Sequence, residues 1–202
     1  MRKPKARRKP RRRESTIRLF VLLAILLALV YYINDSPWLK QRQYPLKYAD
    51  LIIKYADQYS VDPFLVASVI FVESRYISDA VSPKGAKGLM QVLPSTGEWA
   101  AERIKLDGYA EDQLFDPEVN IQMGCWYLGF LESQFPDSRE LVLASYNGGI
   151  GNVKKWLDNK EYSKDGMKLD HIPFRETRNY VIRVQEAYEI YEEVYPYLNL
   201  QQ

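Results

Sequence analysis

The chain has 202 residues and a formal net charge of +2, with 47% hydrophobic and 27% charged residues. This length allows one domain of ordinary size with a tail, and it excludes two full domains. Charge is divided unevenly, because residues 1–33 carry ten basic residues and one acid, or +9, whereas the remainder carries 18 basic and 25 acidic residues, or −7, which indicates two different environments.

The first predicted element is an apolar helix at residues 17–33, which follows a basic segment at residues 1–16. Its 17 residues would span about 25 Å, near the lower limit for crossing the hydrocarbon core of a bilayer. Basic residues before such a span favour a cytoplasmic N-terminus. The sequence therefore predicts a basic cytoplasmic tail, a single-pass anchor in the cytoplasmic membrane, and a domain on the outer side of that membrane.

Two other interpretations of this N-terminal region are less favoured. A cleavable signal peptide has the same order of charges, but residues 34–37 offer no small-x-small cleavage site. A basic block can also bind nucleic acid. Its position directly before an apolar run favours a role in membrane topology, so no nucleic-acid partner is predicted.

The rest of the chain is predicted to be a short linker followed by one mainly helical domain. Residues 34–45 form the polar linker, in which Pro37 and Pro45 interrupt any continuous helix. The domain covers residues 46–202, where alternating strand patterns are scarce. Helices are predicted from about Leu46 to Tyr59, from Pro63 through FLVASVIFVES, from Pro117 to about Phe135, from Ser138 to about Tyr146, and from about Glu176 to Tyr195.

Chemistry that depends on a metal or a histidine is not indicated by the sequence. Cys125 is the single cysteine, which excludes an intrachain disulfide, and its apolar neighbours predict a buried side chain. His171 is the single histidine, and no nucleophile-elbow, CxxC or HExxH pattern is present. No metal and no cofactor are therefore predicted.

Glu73 is an unusual residue, because it lies near the end of the apolar run FLVASVIFVES. An ionised carboxylate is poorly solvated in apolar surroundings, so its pKa is expected to rise towards neutral pH. A carboxylic acid of this kind can act as a general acid. The alternative is an ordinary carboxylate at a helix end, either paired with Arg75 or exposed to water.

Two loop segments carry neutral polar groups that suit a sugar ligand. Residues 82–91 read SPKGAKGLMQ, and residues 144–149 read ASYNGG. Glycines let the backbone approach a bulky ligand, and the amide of Gln91 offers both a donor and an acceptor. Each segment alone also fits an ordinary turn beside a helix cap.

Together with Glu73, these segments resemble the catalytic domain of soluble lytic transglycosylases, relatives of goose-type lysozyme, over about residues 46–195. The similarity rests on Glu73-Ser74 with residues 82–94, on residues 145–149, SYNGG, and on residues 172–181, IPFRETRNYV. The family commonly has Ala at the position of Ser145 and often has Met at that of Leu93. The resemblance implies a lysozyme-like helical fold with a glycan-binding cleft.

The resemblance also implies a role for each matching residue. Glu73 matches the catalytic glutamate of the family. Six further residues match positions that line or shape the cleft around the scissile bond: Ser82, Gln91, Tyr146, Asn147, Glu176 and Tyr180. Glu176 also opens the last predicted helix, where a carboxylate is favoured by the helix dipole whatever its function.

The resemblance implies a lyase whose substrate and binding partner is peptidoglycan. The family cleaves between N-acetylmuramic acid and N-acetylglucosamine without water and leaves 1,6-anhydro ends, with one glutamate as acid and then as base. Ordinary glycosidases use two carboxylates. A water-using muramidase, with Glu176 as second carboxylate, and a non-catalytic peptidoglycan-binding scaffold are the alternatives.

Overall fold

The computed structural model describes residues 12–34 and 36–199. The chain divides into two units, Met1–Gln43 and Tyr44–Gln202. The second unit therefore begins two residues before the predicted start of the domain. Residues 1–11 of the predicted cytoplasmic tail lie outside the described residues.

The first unit contains two helices, α1 (Arg12–Asn34) and α2 (Pro37–Gln43). Side chains of residues 17–32 in α1 are exposed. No single helix of the described residues is long and apolar enough to cross a membrane, but Ile17–Tyr32 and Pro37–Gln43, bent by 58°, meet that requirement as a pair by length and composition. The transmembrane anchor thus stays a prediction.

Part of the predicted linker is helical rather than irregular. Pro37 ends no helix but opens α2, because proline has no N–H to lose at the first helical position and its fixed φ suits that position. The proline was correctly expected to separate two segments, but the second segment is itself a helix.

The second unit is mainly helical, as predicted, and its described residues contain no β-strand beyond two isolated bridges. Its elements are α3 (Ala49–Tyr59), α4 (Pro63–Ser74), α5 (Pro94–Ile104), a 3₁₀ turn (Glu111–Phe115), α6 (Pro117–Gln134), α7 (Arg139–Gly148), α8 (Ile150–Leu157), α9 (Arg175–Val194) and a 3₁₀ turn (Pro196–Asn199).

Helix α4 is the central element of the core. It packs against α3 and α9, and its residues from Pro63 to Phe71 are all buried. The predicted start is confirmed, since Asp62 Oδ1 accepts a hydrogen bond from the Phe64 N–H at 2.9 Å, with Pro63 at the first helical position. Because α4 carries apolar side chains on every side, it has no polar face to expose to water and is stable only inside the domain.

Asp62 also holds neighbouring helices around the start of α4. The Tyr188 hydroxyl of α9 donates to Asp62 Oδ2 at 2.6 Å, and Arg139 of α7 lies 3.4 Å from the same oxygen. Further along α9, the Tyr191 hydroxyl donates to the Pro45 carbonyl at 2.8 Å. These bonds fix α9 along α4, which carries Glu73 near its end.

Four elements of the second unit were not predicted, namely α5, α8 and the two 3₁₀ turns. The segment at residues 144–149 also fitted an ordinary turn; Gly149 alone of its two glycines has a positive φ, of 85°, and α8 begins directly after it. Helix α3 begins at Ala49 rather than near Leu46, because Tyr48 adopts the left-handed conformation.

Candidate active site

A cavity of about 550 Å³ lies where the end of α4 meets the 80–93 loop, the end of α7 and the start of α9. Six of the seven residues singled out in the sequence line it: Glu73, Ser82, Gln91, Tyr146, Asn147 and Glu176. Tyr180, the seventh, is buried in α9 and interacts with Glu73. The fold thus brings all seven to one place.

Glu73 is half-buried at the cavity, on the last turn of α4. Burial raises the pKa of its carboxyl group to about 7, while the Tyr180 hydroxyl and the Arg183 charge act to lower that pKa and Glu176 acts to raise it. Desolvation outweighs the favourable partners, so Glu73 is largely protonated below neutral pH.

Arg75 is not the partner of Glu73, although it lies two residues away. It caps α4 in the left-handed conformation and places its guanidinium 4.0 Å from the centre of the Phe71 ring. Within the described domain it forms no ion pair with Glu73. The interpretation of Glu73 as one half of a helix-end ion pair is therefore wrong.

The Tyr180 hydroxyl is buried and makes no hydrogen bond of normal geometry to any described residue. It is still close enough to the Glu73 carboxyl to act on its pKa. Burying a hydroxyl group without a hydrogen-bond partner destabilises the fold. The position of this hydroxyl beside the ionisable carboxyl group of Glu73 therefore indicates a role in the site.

Asn120 supports the 80–93 loop through hydrogen bonds and was not predicted from the sequence. Asn120 is fully buried in α6; its Oδ1 accepts from the Met90 N–H at 2.7 Å, and its Nδ2 donates to the carbonyls of Lys87 and Leu114 at 2.9 and 2.7 Å. The available signal was an asparagine inside an otherwise apolar helix, where its side chain must find partners.

Gly88 lets the loop approach Asn120. Its φ is +77°, and a Cβ atom there would overlap Asn120 Nδ2 and the Leu114 carbonyl. The glycine is required both for its conformation and for this close approach. The glycines of this loop were expected to let the backbone approach a ligand. At Gly88 the missing side chain instead makes room for Asn120.

Gln91 presents an acceptor, not a donor, to the cavity. Both hydrogens of its Nε2 are used, by the carbonyl of Ala80 at 3.1 Å and that of Gly88 at 2.9 Å. The amide was expected to offer both a donor and an acceptor to a ligand. Only its Oε1 is available, and this atom can accept a hydrogen bond from a ligand hydroxyl. Ser82 has the complementary role, because its Oγ accepts from the Ala86 N–H at 3.0 Å and keeps a hydrogen to donate.

Tyr146 and Asn147, at the end of α7, connect the loop to α9. The Tyr146 hydroxyl donates to the Met90 carbonyl at 2.8 Å, and Asn147 Oδ1 accepts from the Thr177 hydroxyl at 2.8 Å. Burial raises the pKa of Tyr146 well above its usual value, so it stays a neutral hydrogen-bond donor. The Tyr146 ring lies 5.4 Å from that of Tyr127, which also lines the cavity.

Glu176 lies at the mouth of the cavity rather than beside Glu73. Its side chain is 70% exposed, and its Oε2 is 3.4 Å from Lys84 Nζ, an ion pair between two well-solvated groups. The cavity therefore has one desolvated carboxyl group and one solvated carboxylate with quite different surroundings.

Metal-binding and thiol chemistry find no support in the described part of the chain, which has no cluster of three histidine, cysteine or acidic side chains able to hold a metal ion. Cys125 is buried, and burial raises the pKa of its thiol. His171 packs against the Tyr162 ring and does not line the cavity. What the cavity offers is one proton donor in apolar surroundings, with neutral hydrogen-bonding groups around it.

Comparison with known proteins identifies relatives of this domain. Residues 50–168 match the family described as the transglycosylase SLT domain. The soluble lytic murein transglycosylase of Escherichia coli is 36% identical over 153 residues, which cover 75% of this chain and 24% of that protein. The membrane-bound lytic murein transglycosylase C of Haemophilus influenzae is 31% identical over 162 residues, which cover 70% of this chain and 45% of that protein.

The solved structures agree with the sequence relatives. An inactive mutant of the lytic transglycosylase Slt from Pseudomonas aeruginosa, in which a glutamate is replaced by glutamine, has a TM-score of 0.65 and 30% identity. The match covers 74% of this chain and 24% of that chain. This chain thus spans about a quarter of the length of the Escherichia coli and Pseudomonas proteins.

Proposed function

Since the chain belongs to the transglycosylase SLT family, we propose that it is a lytic transglycosylase that cleaves the glycan strand of peptidoglycan. The bond cleaved is the β-1,4 bond between N-acetylmuramic acid and N-acetylglucosamine, and the product ends in 1,6-anhydro-N-acetylmuramic acid. The observation that carries the proposal is Glu73, whose pKa is raised to about 7 by burial in a cavity with neutral hydrogen-bonding groups.

Glu73 acts twice in the proposed reaction. Its carboxylic acid gives a proton to the glycosidic oxygen, the bond from that oxygen to C1 of the muramic acid breaks, and the N-acetyl group of the same sugar stabilises the charge at C1. The resulting carboxylate removes the proton of the C6 hydroxyl, and O6 bonds to C1. Water is not consumed, and Glu73 ends protonated as it began.

A pKa near 7 suits both steps, because a general acid that must also act as a base works best when its pKa is close to the operating pH. The neutral groups have matching roles. Gln91 Oε1 can accept from a sugar hydroxyl, while Ser82 Oγ and Asn147 Nδ2 can donate to sugar oxygens.

A water-using muramidase is less well supported. An inverting glycosidase needs a second carboxylate that activates water, and a retaining one needs a second carboxylate as nucleophile. The remaining carboxylate of the cavity lining, Glu176, is exposed and paired with Lys84 at its mouth. These surroundings suit a residue that binds or orients the strand better than a catalytic base.

The relatives support the same assignment. Both curated relatives are named lytic murein transglycosylases. The solved Pseudomonas protein is described as inactive with a glutamate changed to glutamine, which is the result we expect for Glu73→Gln here. A non-catalytic scaffold would have no use for a desolvated acid at its binding cavity.

We also propose that the protein acts at a membrane. Helix α1 exposes a mainly apolar surface at residues 17–32, with Arg18 as its one charged residue, a basic segment precedes it, and one relative is named as membrane-bound. A single-pass anchor with the N-terminus inside would hold the domain beside the cell wall.

Product analysis tests the proposed reaction. The full chain, purified in detergent, is incubated with isolated peptidoglycan, and the released fragments are analysed by mass spectrometry. We expect 1,6-anhydro ends from the wild type and from Glu186→Gln, an exposed glutamate of α9 that controls for loss of one charge. Glu73→Gln is expected to release none, and full activity of that variant would exclude the mechanism.

A further inference from the structure

Thr177 is a buried polar residue in the first turn of α9, and it contacts a residue of the active site. Its side chain is 2% exposed, although the preceding residue, Glu176, lies at the mouth of the cavity. The Thr177 hydroxyl donates a hydrogen bond to Asn147 Oδ1 at 2.8 Å, whereas Thr177 itself is not among the described residues that line the cavity. Thr177 therefore acts on the cavity through the side chain of Asn147.

Close packing at the end of α7 holds the Thr177 hydroxyl in place. A Cβ atom at Gly148 would lie 3.0 Å from Thr177 Oγ1, 3.3 Å from its Cγ2 and 3.3 Å from Trp156 Cη2. Because glycine lacks this atom, α7 approaches α9 closely enough for the hydrogen bond to Asn147. Threonine is branched at Cβ and has few χ1 angles open to it, so its hydroxyl group has little freedom to turn away.

The hydrogen bond from Thr177 selects one orientation of the Asn147 amide. An asparagine amide can present either its oxygen or its NH2 group to a neighbour. The Thr177 hydroxyl hydrogen is bonded to Asn147 Oδ1 and makes no second hydrogen bond within the described domain. Turning the amide over would place the NH2 group beside the hydroxyl group and leave the hydroxyl hydrogen without this acceptor. Since an unpaired buried donor destabilises the fold, the orientation that leaves Nδ2 free for a ligand is favoured.

The cavity consequently contains two amides of opposite polarity. Asn147 lines the cavity, and its Nδ2 makes no hydrogen bond to a described residue. Gln91 offers the acceptor Oε1 instead, because the carbonyls of Ala80 and Gly88 use both hydrogens of its Nε2. Each amide is thus oriented by the protein before a ligand binds, and a donor oriented in advance needs no reorganisation during the reaction.

We infer that Thr177 is a positioning residue of the active site, which fixes the Asn147 amide so that its NH2 group donates to an oxygen atom of the bound glycan. This inference rests on the proposed function. The two branches of the Thr177 side chain have separate tasks, since Cγ2 packs beside Gly148 whereas the hydroxyl group orients the amide.

Two single variants separate these tasks. Thr177→Val keeps the shape of the side chain and loses the hydroxyl group, whereas Thr177→Ser keeps the hydroxyl group and loses the methyl group. We measure the Tm of each full-length variant in detergent and its kcat/KM for release of 1,6-anhydro ends from soluble peptidoglycan strands. Thr177→Val is expected to lower kcat/KM about fivefold, the effect of about one hydrogen bond. Thr177→Ser is expected to keep kcat/KM within about twofold of the wild type, even where its Tm is lower.

A double-mutant cycle assigns the effect to Asn147. In Asn147→Ala there is no amide to orient, so adding Thr177→Val should cause no further loss of kcat/KM. Asn147→Asp keeps an oxygen atom for the Thr177 hydroxyl but replaces the NH2 donor by an acceptor. This variant should therefore lose at least as much kcat/KM as Asn147→Ala.

Three results would overturn the inference and leave the proposed function intact: wild-type kcat/KM in Thr177→Val, equal losses in Thr177→Val and Thr177→Ser, or a loss through Thr177→Val that persists in Asn147→Ala. Failure of the wild type to release 1,6-anhydro ends would instead contradict the proposed function. Calorimetric binding of the strands to Glu73→Gln then decides the role of Thr177. Adding Thr177→Val should weaken that binding, and unchanged binding would overturn the inference.

Discussion

Replacing Glu73 by glutamine should stabilise the protein, and the gain should depend on pH. The pKa of Glu73 rises from its usual 4.5 to about 7 in the folded state because the carboxyl group is desolvated. A carboxyl group whose pKa is raised by folding contributes full stability below the unfolded pKa, and this contribution is lost as the pH rises through the folded pKa. The shift corresponds to about 3 kcal/mol of unfolding free energy lost between pH 4.5 and 8.

Chemical denaturation of the full chain in detergent at several pH values measures this effect. The difference in unfolding free energy between Glu73→Gln and wild type should grow by about 3 kcal/mol from pH 4.5 to 8. Glu186→Gln, at an exposed position of the same protein, should show no comparable growth. A difference for Glu73→Gln that stays constant over this range would refute the desolvation of Glu73 on which the mechanism depends.

Further predictions concern the groups around Glu73. Asn120→Ala removes three hydrogen bonds, two to the 80–93 loop and one to Leu114, so it should lower the unfolding free energy by about 3 kcal/mol and also reduce kcat/KM. Ser145→Ala should raise that free energy by about 1 kcal/mol, seen as a higher Tm, because the Ser145 hydroxyl is buried without a partner in the described domain. Tyr180→Phe removes a hydroxyl that lowers the pKa of Glu73, so the alkaline fall of kcat/KM, expected near pH 7 in the wild type, should move to higher pH.

Helices with strong local signals were predictable from the sequence, and helices without them were not. The aspartate-proline pairs at Asp62 and Asp116 mark the starts of α4 and α6 because capping and a fixed φ act within a few residues. Helix α5 begins after Leu93 with no side-chain cap, and α8 contains a glycine, so their stability comes from packing that a local pattern does not report.

The site shows the same division between local and tertiary information. Glu73 could be singled out because a carboxylate in an apolar run is visible in the sequence. The support of Met90 by Asn120 and the ion pair of Glu176 with Lys84 depend on contacts between distant segments. The use of both Gln91 hydrogens depends on the folded conformation of its own loop. Periodicity and motif spacing carry no information on which hydrogen-bonding groups are already paired.

In the proposed reaction Glu73 closes an anhydro ring without consuming water, and isotopic labelling distinguishes this reaction from hydrolysis. The full chain digests peptidoglycan in water enriched in ¹⁸O, and the masses of the released fragments are measured. We predict 1,6-anhydro fragments that contain no ¹⁸O, with none released by Glu73→Gln. Reducing ends that carry one ¹⁸O atom would contradict this mechanism, because they would show hydrolysis by a muramidase.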